Sequence, residues 1–227
     1  MTVHATSIRR SPDLGPVSSS TSSLRHGSYR LVVKRLVDVA AVLVSLPFVL
    51  PFLALIGILI AMDGSSPIFR QQRVGKDGRR FVIWKFRSMV PDAEDLLERH
   101  LDANEAARRE WDAKQKLSID PRVTRMGRLL RRTSLDELPQ IWNVLKGDMS
   151  LIGPRPMMPS QQALYPGQSY YHLRPGMTGS WQVSARHNSD FSERAMFDDA
   201  YDRDLSFLTD MRILVDTVRV VFRGTGV

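Results

Sequence analysis

The sequence predicts a mostly helical α/β domain joined to a membrane segment near its N-terminus. Three observations lead there. An uncharged apolar run of 24 residues covers positions 39–62. Two short strand-like stretches, 68–74 and 81–86, flank the turn Gly75-Lys76-Asp77-Gly78. Beyond them, apolar residues recur mostly at helical spacing with arginines along their borders.

The chain has 227 residues, enough for one domain with a real core and some appendages. It contains no cysteine, so disulfides and thiolate metal sites are excluded. Its net charge of +8 calls for a polyanionic partner: nucleic acid, an anionic membrane face or a phosphorylated substrate. Residues 1–28 are rich in Ser, Thr, Pro and Gly and lack apolar periodicity. They read as a disordered tail with no room for an extra domain. A cleaved signal peptide is not expected, because the apolar block begins late and no small-residue cleavage site follows it.

The apolar segment, with its borders, occupies 29–64. It is long enough to span a bilayer, which takes about 20 residues. Two features oppose a simple span. Pro47 and Pro51 lie near its middle, where proline removes backbone bonds and bends a helix. Both flanks are basic: Arg30, Lys34 and Arg35 before, Arg70, Arg73 and Lys76 after. The positive-inside rule then favours the cytoplasm for both ends. A straight span and a re-entrant hairpin with a break at Ser45 and Pro47 both fit, the Ser45 hydroxyl being a candidate to satisfy the broken backbone.

Residues 65–227 form the remaining domain. Lys85 lies in the second strand, beside Trp84 and Phe86. A strand lysine usually faces water, but one flanked by aromatics before a loop can meet a phosphate. Residues 91–116 read as a helical region of mixed charge with nothing catalytic in it. Asp120-Pro121 breaks the chain. Residues 123–132 form a basic amphipathic helix whose arginines suit lipid headgroups or a nucleotide diphosphate.

The next stretch, Arg132 to Gly147, sets Asp136 and Glu137 at the start of an apolar-periodic helix. One reading is a capping box, Ser134-x-x-Glu137, with carboxylates favoured by the helix dipole. The other makes one carboxylate a nucleophile and the other a ligand for magnesium held against a phosphate. In Gly153-Pro154-Arg155-Pro156 the prolines stiffen the backbone around Arg155, which suits a bidentate phosphate contact. A Pro-Gly turn at Pro175-Gly176 leads to 180–184, which reads as strand-like, and then to Arg186 and His187. Residues 192–204 read as an acidic helix, and 206–223 as a helix with an apolar face bordered by Arg212, Arg219 and Arg223. That last helix fits a membrane interface or an ordinary packed terminus. No zinc-site spacing is present, and no nucleic-acid-binding motif supports that class of partner.

Taken in order, these residues resemble the bacterial sugar transferase family, the monotopic polyprenyl-phosphate glycosyl-1-phosphate transferases that start exopolysaccharide and O-antigen synthesis. The resemblance runs from Lys34 to the C-terminus. It rests on the proline-containing apolar segment, Lys85-Phe86-Arg87-Ser88-Met89, Arg131 to Gly147, Gly153-Pro154-Arg155-Pro156, Arg174-Pro175-Gly176-Met177-Thr178-Gly179, and Asp198 to Ser206. Related small members set a serine directly before the proline; here Leu46 separates Ser45 from Pro47.

The resemblance implies a re-entrant membrane helix, a small α/β catalytic domain on the cytoplasmic face of the bacterial inner membrane, and amphipathic helices at the interface. It implies that Asp136 attacks the sugar-bearing phosphate of a UDP-sugar, releasing UMP, and that undecaprenyl phosphate then takes the phosphosugar. Glu137 would hold Mg2+. Lys85, Arg131, Arg155 and Arg186 would contact phosphate or nucleotide, and Asp198 matches an acidic family position with a substrate-binding role. Glucose and galactose are the expected sugars. Anionic lipids are expected partners, and a homodimer is a candidate state because some relatives associate. The competing class is a non-catalytic, membrane-bound interaction module of a polysaccharide assembly complex, which could do without the Asp136-Glu137 pair.

Overall fold

The computed structural model describes residues 27–62, 65–184 and 190–222. Most of the expected tail (1–26), Arg186 and His187 lie outside the described residues. The architecture is mostly helical, with two small two-stranded sheets.

A π-helical turn, Tyr29–Val33, leads into α1, Lys34–Ala61. Among the described residues this is the one helix long and apolar enough to cross a membrane. It continues through Pro47 and Pro51, the positions where the sequence places a bend. Just before Pro47, the Ser45 hydroxyl donates to the Val42 carbonyl at 2.8 Å. Only one stripe of α1 is covered. Val42, Ile56 and Ile60 are buried, with Leu46, Val49 and Leu53 packed beside them at alternating spacings of four and three. The opposite side is bare, with Val44 and Phe48 each 74% exposed. Near its start the stripe shares a core with Ile141, Val144 and Met149. Near its end it shares another with Phe86 and Leu130. The covered length, from Val42 to Ile60, is roughly 27 Å at the helical rise of about 1.5 Å per residue.

Polar fasteners hold the N-terminal end of α1. Tyr29 and Lys34 both donate to Asp210 Oδ2, at 2.6 and 2.7 Å, while Tyr201 donates to Oδ1 at 2.6 Å. Asp38, buried within α1, accepts from the Ser150 hydroxyl at 2.7 Å and the Leu151 amide at 3.2 Å. A buried carboxylate needs such partners, since water is not there to replace them.

Strands β1, Ile68–Val74, and β2, Arg80–Phe86, pair antiparallel, with Ile68 opposite Phe86 and Val74 opposite Arg80. Asp77 and Gly78 both take positive φ in the turn between them, as a tight hairpin with a right-handed twist requires. The expected helical region beyond residue 90 is two helices, α2 (Ala93–Ala103) and α3 (Glu105–Lys114), split at Asn104. The Asn104 side chain caps α3 by accepting from the Ala107 amide at 3.1 Å. Helix α4, Arg125–Arg132, is capped the same way by Thr124.

Then follow a 3₁₀ segment, Leu135–Gln140, and α5, Ile141–Lys146. Strands β3, Ser150–Ile152, and β4, Gly176–Thr178, pair in parallel, with the short helix α6, Ser169–His172, between them in sequence. Helices α7 (Ser180–Ser184), α8 (Arg194–Asp204) and α9 (Phe207–Phe222) complete the described chain.

Two expectations are corrected. The run 180–184 is a helical turn rather than a strand. Its neighbours Trp181 and Gln182 are both buried, and a half-buried strand would send them to opposite faces. The capping box at Ser134 does not form either. Ser134 sits at φ 57° with no side-chain capping bond, and the chain enters a tight 3₁₀ segment instead. The side chain of Glu137 is drawn across to β2.

Candidate active site

The site forms where the 3₁₀ segment meets β2 and the rigid loop after β3. In an antiparallel pair, partners share a face, so Arg73 and Lys85 project to the same side of the hairpin. Lys85 Nζ meets Glu137 Oε1 at 2.7 Å. Arg155 approaches the same oxygen at 3.4 Å. A polar cleft is lined by Arg73, Lys85, Glu137, Gln140, Arg155 and Gln182.

Three supports fix this arrangement. Asn143, fully buried in α5, accepts from the Trp84 amide at 3.1 Å and donates to the Val82 carbonyl at 2.7 Å. This clamps β2 beside the 3₁₀ segment that carries the acids. Arg155 is held because its loop is stapled to the strand beside it: Gly153 N donates to Thr178 O at 2.9 Å, and Gly176 N to Pro154 O at 2.8 Å. A Cβ on Gly176 would stand 2.1 Å from Gly153 N, so only glycine permits the approach. Helix α4 lies equally close to the loop after β2. A Cβ on Gly127 would meet the Ser88 carbonyl at 1.9 Å. That contact brings Arg131 to the Ser88 hydroxyl, to which its Nε donates at 3.0 Å.

The electrostatics follow from burial. Asp136 is 7% exposed, and burial pushes its carboxyl above the ordinary carboxylate range. Lys85, Arg131 and Arg155 pull it back, whereas neighbouring Glu137 pushes it further up. Burial lowers the Lys85 ammonium, and Glu137 opposes that shift. Arg73 falls to about 10, through burial and then its like-charged neighbour Arg155. Perturbed acids and bases grouped on one cleft mark a functional centre.

The structure therefore gathers Glu137, Lys85 and Arg155 on the cleft, while Asp136, buried and not among the described residues lining it, stands in electrostatic reach of Lys85, Arg131 and Arg155. Asp198 is placed differently. It is not among the described residues lining the cleft, and its carboxylate accepts from Tyr165 at 2.7 Å. Burial raises it to about 7, against the pull of the Tyr165 bond and Arg194. Three residues escape the sequence reading: Arg73, Gln140 and Gln182. Arg73 was legible, since the hairpin's alternation puts it on the Lys85 face. Gln140 and Gln182 carry no such signal.

The two acids also bear on metal binding. Among the described residues no group of three or more His, Asp and Glu side chains could hold an ion alone. One or two carboxylates on a cleft wall, with phosphate oxygens completing the shell, is nevertheless a common way to hold Mg2+. Glu137, on the cleft wall and next in sequence to Asp136, fits that donor set.

The family model described as bacterial sugar transferase matches residues 29–224. A UDP-galactose-lipid carrier transferase of Erwinia amylovora is 43% identical over 91% of this chain and 43% of its own length. An undecaprenyl-phosphate galactose phosphotransferase of Salmonella typhimurium is 42% identical over 86% of this chain and 41% of its own. The exopolysaccharide production protein ExoY of Rhizobium meliloti is 38% identical, over 86% of this chain and 88% of its own. The chain thus spans under half the length of the first two relatives and most of the third.

Proposed function

This chain belongs to the bacterial sugar transferase family, and from that premise we propose that it moves a sugar-1-phosphate from a UDP-sugar to undecaprenyl phosphate, the first membrane step of exopolysaccharide or O-antigen synthesis. The observation that carries the reading is the convergence of Glu137, Lys85 and Arg155 on one polar cleft, with buried Asp136 in electrostatic reach of Lys85 and Arg155. Galactose and glucose are the sugars the reading favours.

The cleft's chemistry fits phosphoryl transfer, which needs positioning and charge neutralisation more than covalent machinery. Arg73, Lys85 and Arg155 bind and orient the diphosphate. An Asp136 carboxylate oxygen attacks the phosphorus bearing the sugar. The bond from that phosphorus to the UMP oxygen breaks, and UMP leaves with the electron pair. An oxygen of the lipid phosphate then attacks the same phosphorus and returns Asp136 to its carboxylate. Magnesium held by Glu137, alone or with Asp136, would supply further neutralisation of diphosphate charge. Arg131, tied to Ser88, stabilises the ionised form of Asp136.

We read α1 as a re-entrant helix entering and leaving by the cytoplasmic face of the inner membrane. Its covered stripe touches the same domain near both ends, and both flanks are basic. On this reading the bend falls at Pro47 and Pro51, which α1 runs through without a break, and the bare side of α1 takes the lipid contact. The arginine-bordered faces of α4 and α9 suit anionic headgroups. The direct test is UMP release from UDP-galactose and UDP-glucose by the full chain with undecaprenyl phosphate. Release lost in Asp136→Asn supports the reading; no release by wild type with either sugar overturns it.

A further inference from the structure

Among the described residues the largest fully buried side chain is Tyr170 of α6, and the proposed reaction does not use it. It shares a core with Val74 of β1, with Met157 of the loop after β3, and with Phe191 and Ala195 beside the start of α8. Its ring stands edge-on to Tyr165 and Tyr171, with centroids 5.6 and 5.5 Å away. Phenylalanine would serve that packing as well. The hydroxyl therefore needs its own account, because a buried hydroxyl costs free energy unless it is bonded.

Here both its proton and a lone pair are used, and both on backbone. The hydroxyl donates to the Val74 carbonyl at 2.5 Å and accepts from the Met157 amide at 3.2 Å. The Val74 amide in turn donates to the Met157 carbonyl at 3.0 Å. Three hydrogen bonds thus close a ring through β1, the loop after β3 and α6. Val74 follows Arg73 directly, and Met157 stands two residues after Arg155. Both arginines line the cleft. They are like charges, close enough that Arg155 depresses Arg73, and like charges repel. Among the described residues the Arg73 guanidinium donates to the Gln71 side chain at 2.5 Å, while its buried Nε has no partner. No side-chain bond ties Arg73 to Arg155, so the backbones that carry them must set their separation.

We propose that Tyr170 is a positioning residue, whose hydroxyl locks the end of β1 to the loop after β3 and so fixes Arg73 relative to Arg155 across the cleft. The proposal rests on the transferase reading above, in which these two arginines orient the diphosphate of the UDP-sugar. A diphosphate has fixed oxygen spacings, and two guanidinium forks match them only at a fixed separation. The short helix α6, remote from the acids in sequence, acquires a role in this way without touching substrate.

The test is a double-mutant cycle in the full chain, Tyr170→Phe against Arg73→Lys. Lysine keeps the charge on a flexible stem and lacks the planar fork, so it gains little from a fixed backbone. kcat/KM for the UDP-sugar is measured with undecaprenyl phosphate in detergent micelles, at a temperature where melting curves show all four proteins folded. Tyr170→Phe should lower kcat/KM about tenfold beside native Arg73, since small misplacements of binding groups carry large rate costs. Beside Arg73→Lys the same change should cost less than about twofold. A plain loss of packing would act equally in both backgrounds. Equal losses in the two backgrounds, or no loss from Tyr170→Phe, would overturn the proposal. Wild type inactive with both UDP-galactose and UDP-glucose would instead remove the transferase reading, and the proposal with it.

Discussion

Asp136 and Asp198 are both buried acids, yet the chain uses them in different company. Asp136 is raised by burial, with Lys85, Arg131 and Arg155 pulling the other way. The proposed activity should accordingly rise with pH as Asp136 loses its proton, and Asp136→Asn should lower UMP release by about a thousandfold or more, as loss of a covalent nucleophile does. Asp198 rests on Tyr165, and its carboxyl is raised from 3.8 to about 7. Its folded form holds the proton more tightly than the unfolded chain does. The contribution of Asp198 to stability is then fully present below about pH 4 and is lost as pH rises through about 7. Asp198→Asn keeps an acceptor for Tyr165 and removes the titration. Its melting temperature should gain on wild type between pH 5 and 8, and calorimetry across that range measures the gain. A constant difference would show that Asp198 does not titrate there.

At the scale of elements, the clamps matter more than the acids. Asn143→Ala would leave the Trp84 amide and Val82 carbonyl without their partner. At about 1–3 kcal/mol for each buried group left unsatisfied, roughly 2–6 kcal/mol of stability should be lost, as denaturant unfolding would measure. Gly127→Ala should drive α4 off the Ser88 carbonyl and carry Arg131 with it. Overpacking of this kind typically costs about 1–3 kcal/mol, and UMP release should fall more than stability alone explains. These contacts also mark the limit of what the sequence told. The hairpin, the basic helix before the acids and the terminal helix were legible, because each has a local period or a turn signal. The parallel β3–β4 pair was not, since three-residue strands carry too little pattern. Nor was the helical turn at 180–184, where burial by distant residues decides the backbone. Ser134 looked like a cap because its spacing to Glu137 is right; the cross-chain pull of Lys85 on Glu137 goes with the different outcome.

At the scale of the molecule, the long apolar helix α1 is laid against the rest of the domain rather than set apart from it. The buried stripe of α1 and its fasteners to Asp210 and Ser150 hold the cleft at a fixed depth relative to that helix. The absence of cysteine makes the topology easy to probe. Single cysteines at Ser28 and Arg79, on either side of α1, should both resist a membrane-impermeant thiol reagent in spheroplasts and react once the membrane is opened. Labelling of one but not the other in intact spheroplasts would mean that α1 spans. The central claim, that Asp136 carries the phosphosugar, is tested most directly by the intact mass of the full chain after incubation with magnesium and UDP-galactose or UDP-glucose, without lipid. The account predicts a gain of one hexose phosphate in wild type and none in Asp136→Asn, with UMP released alongside. An unmodified wild-type mass, together with UMP appearing only when undecaprenyl phosphate is added, would contradict it in favour of direct transfer.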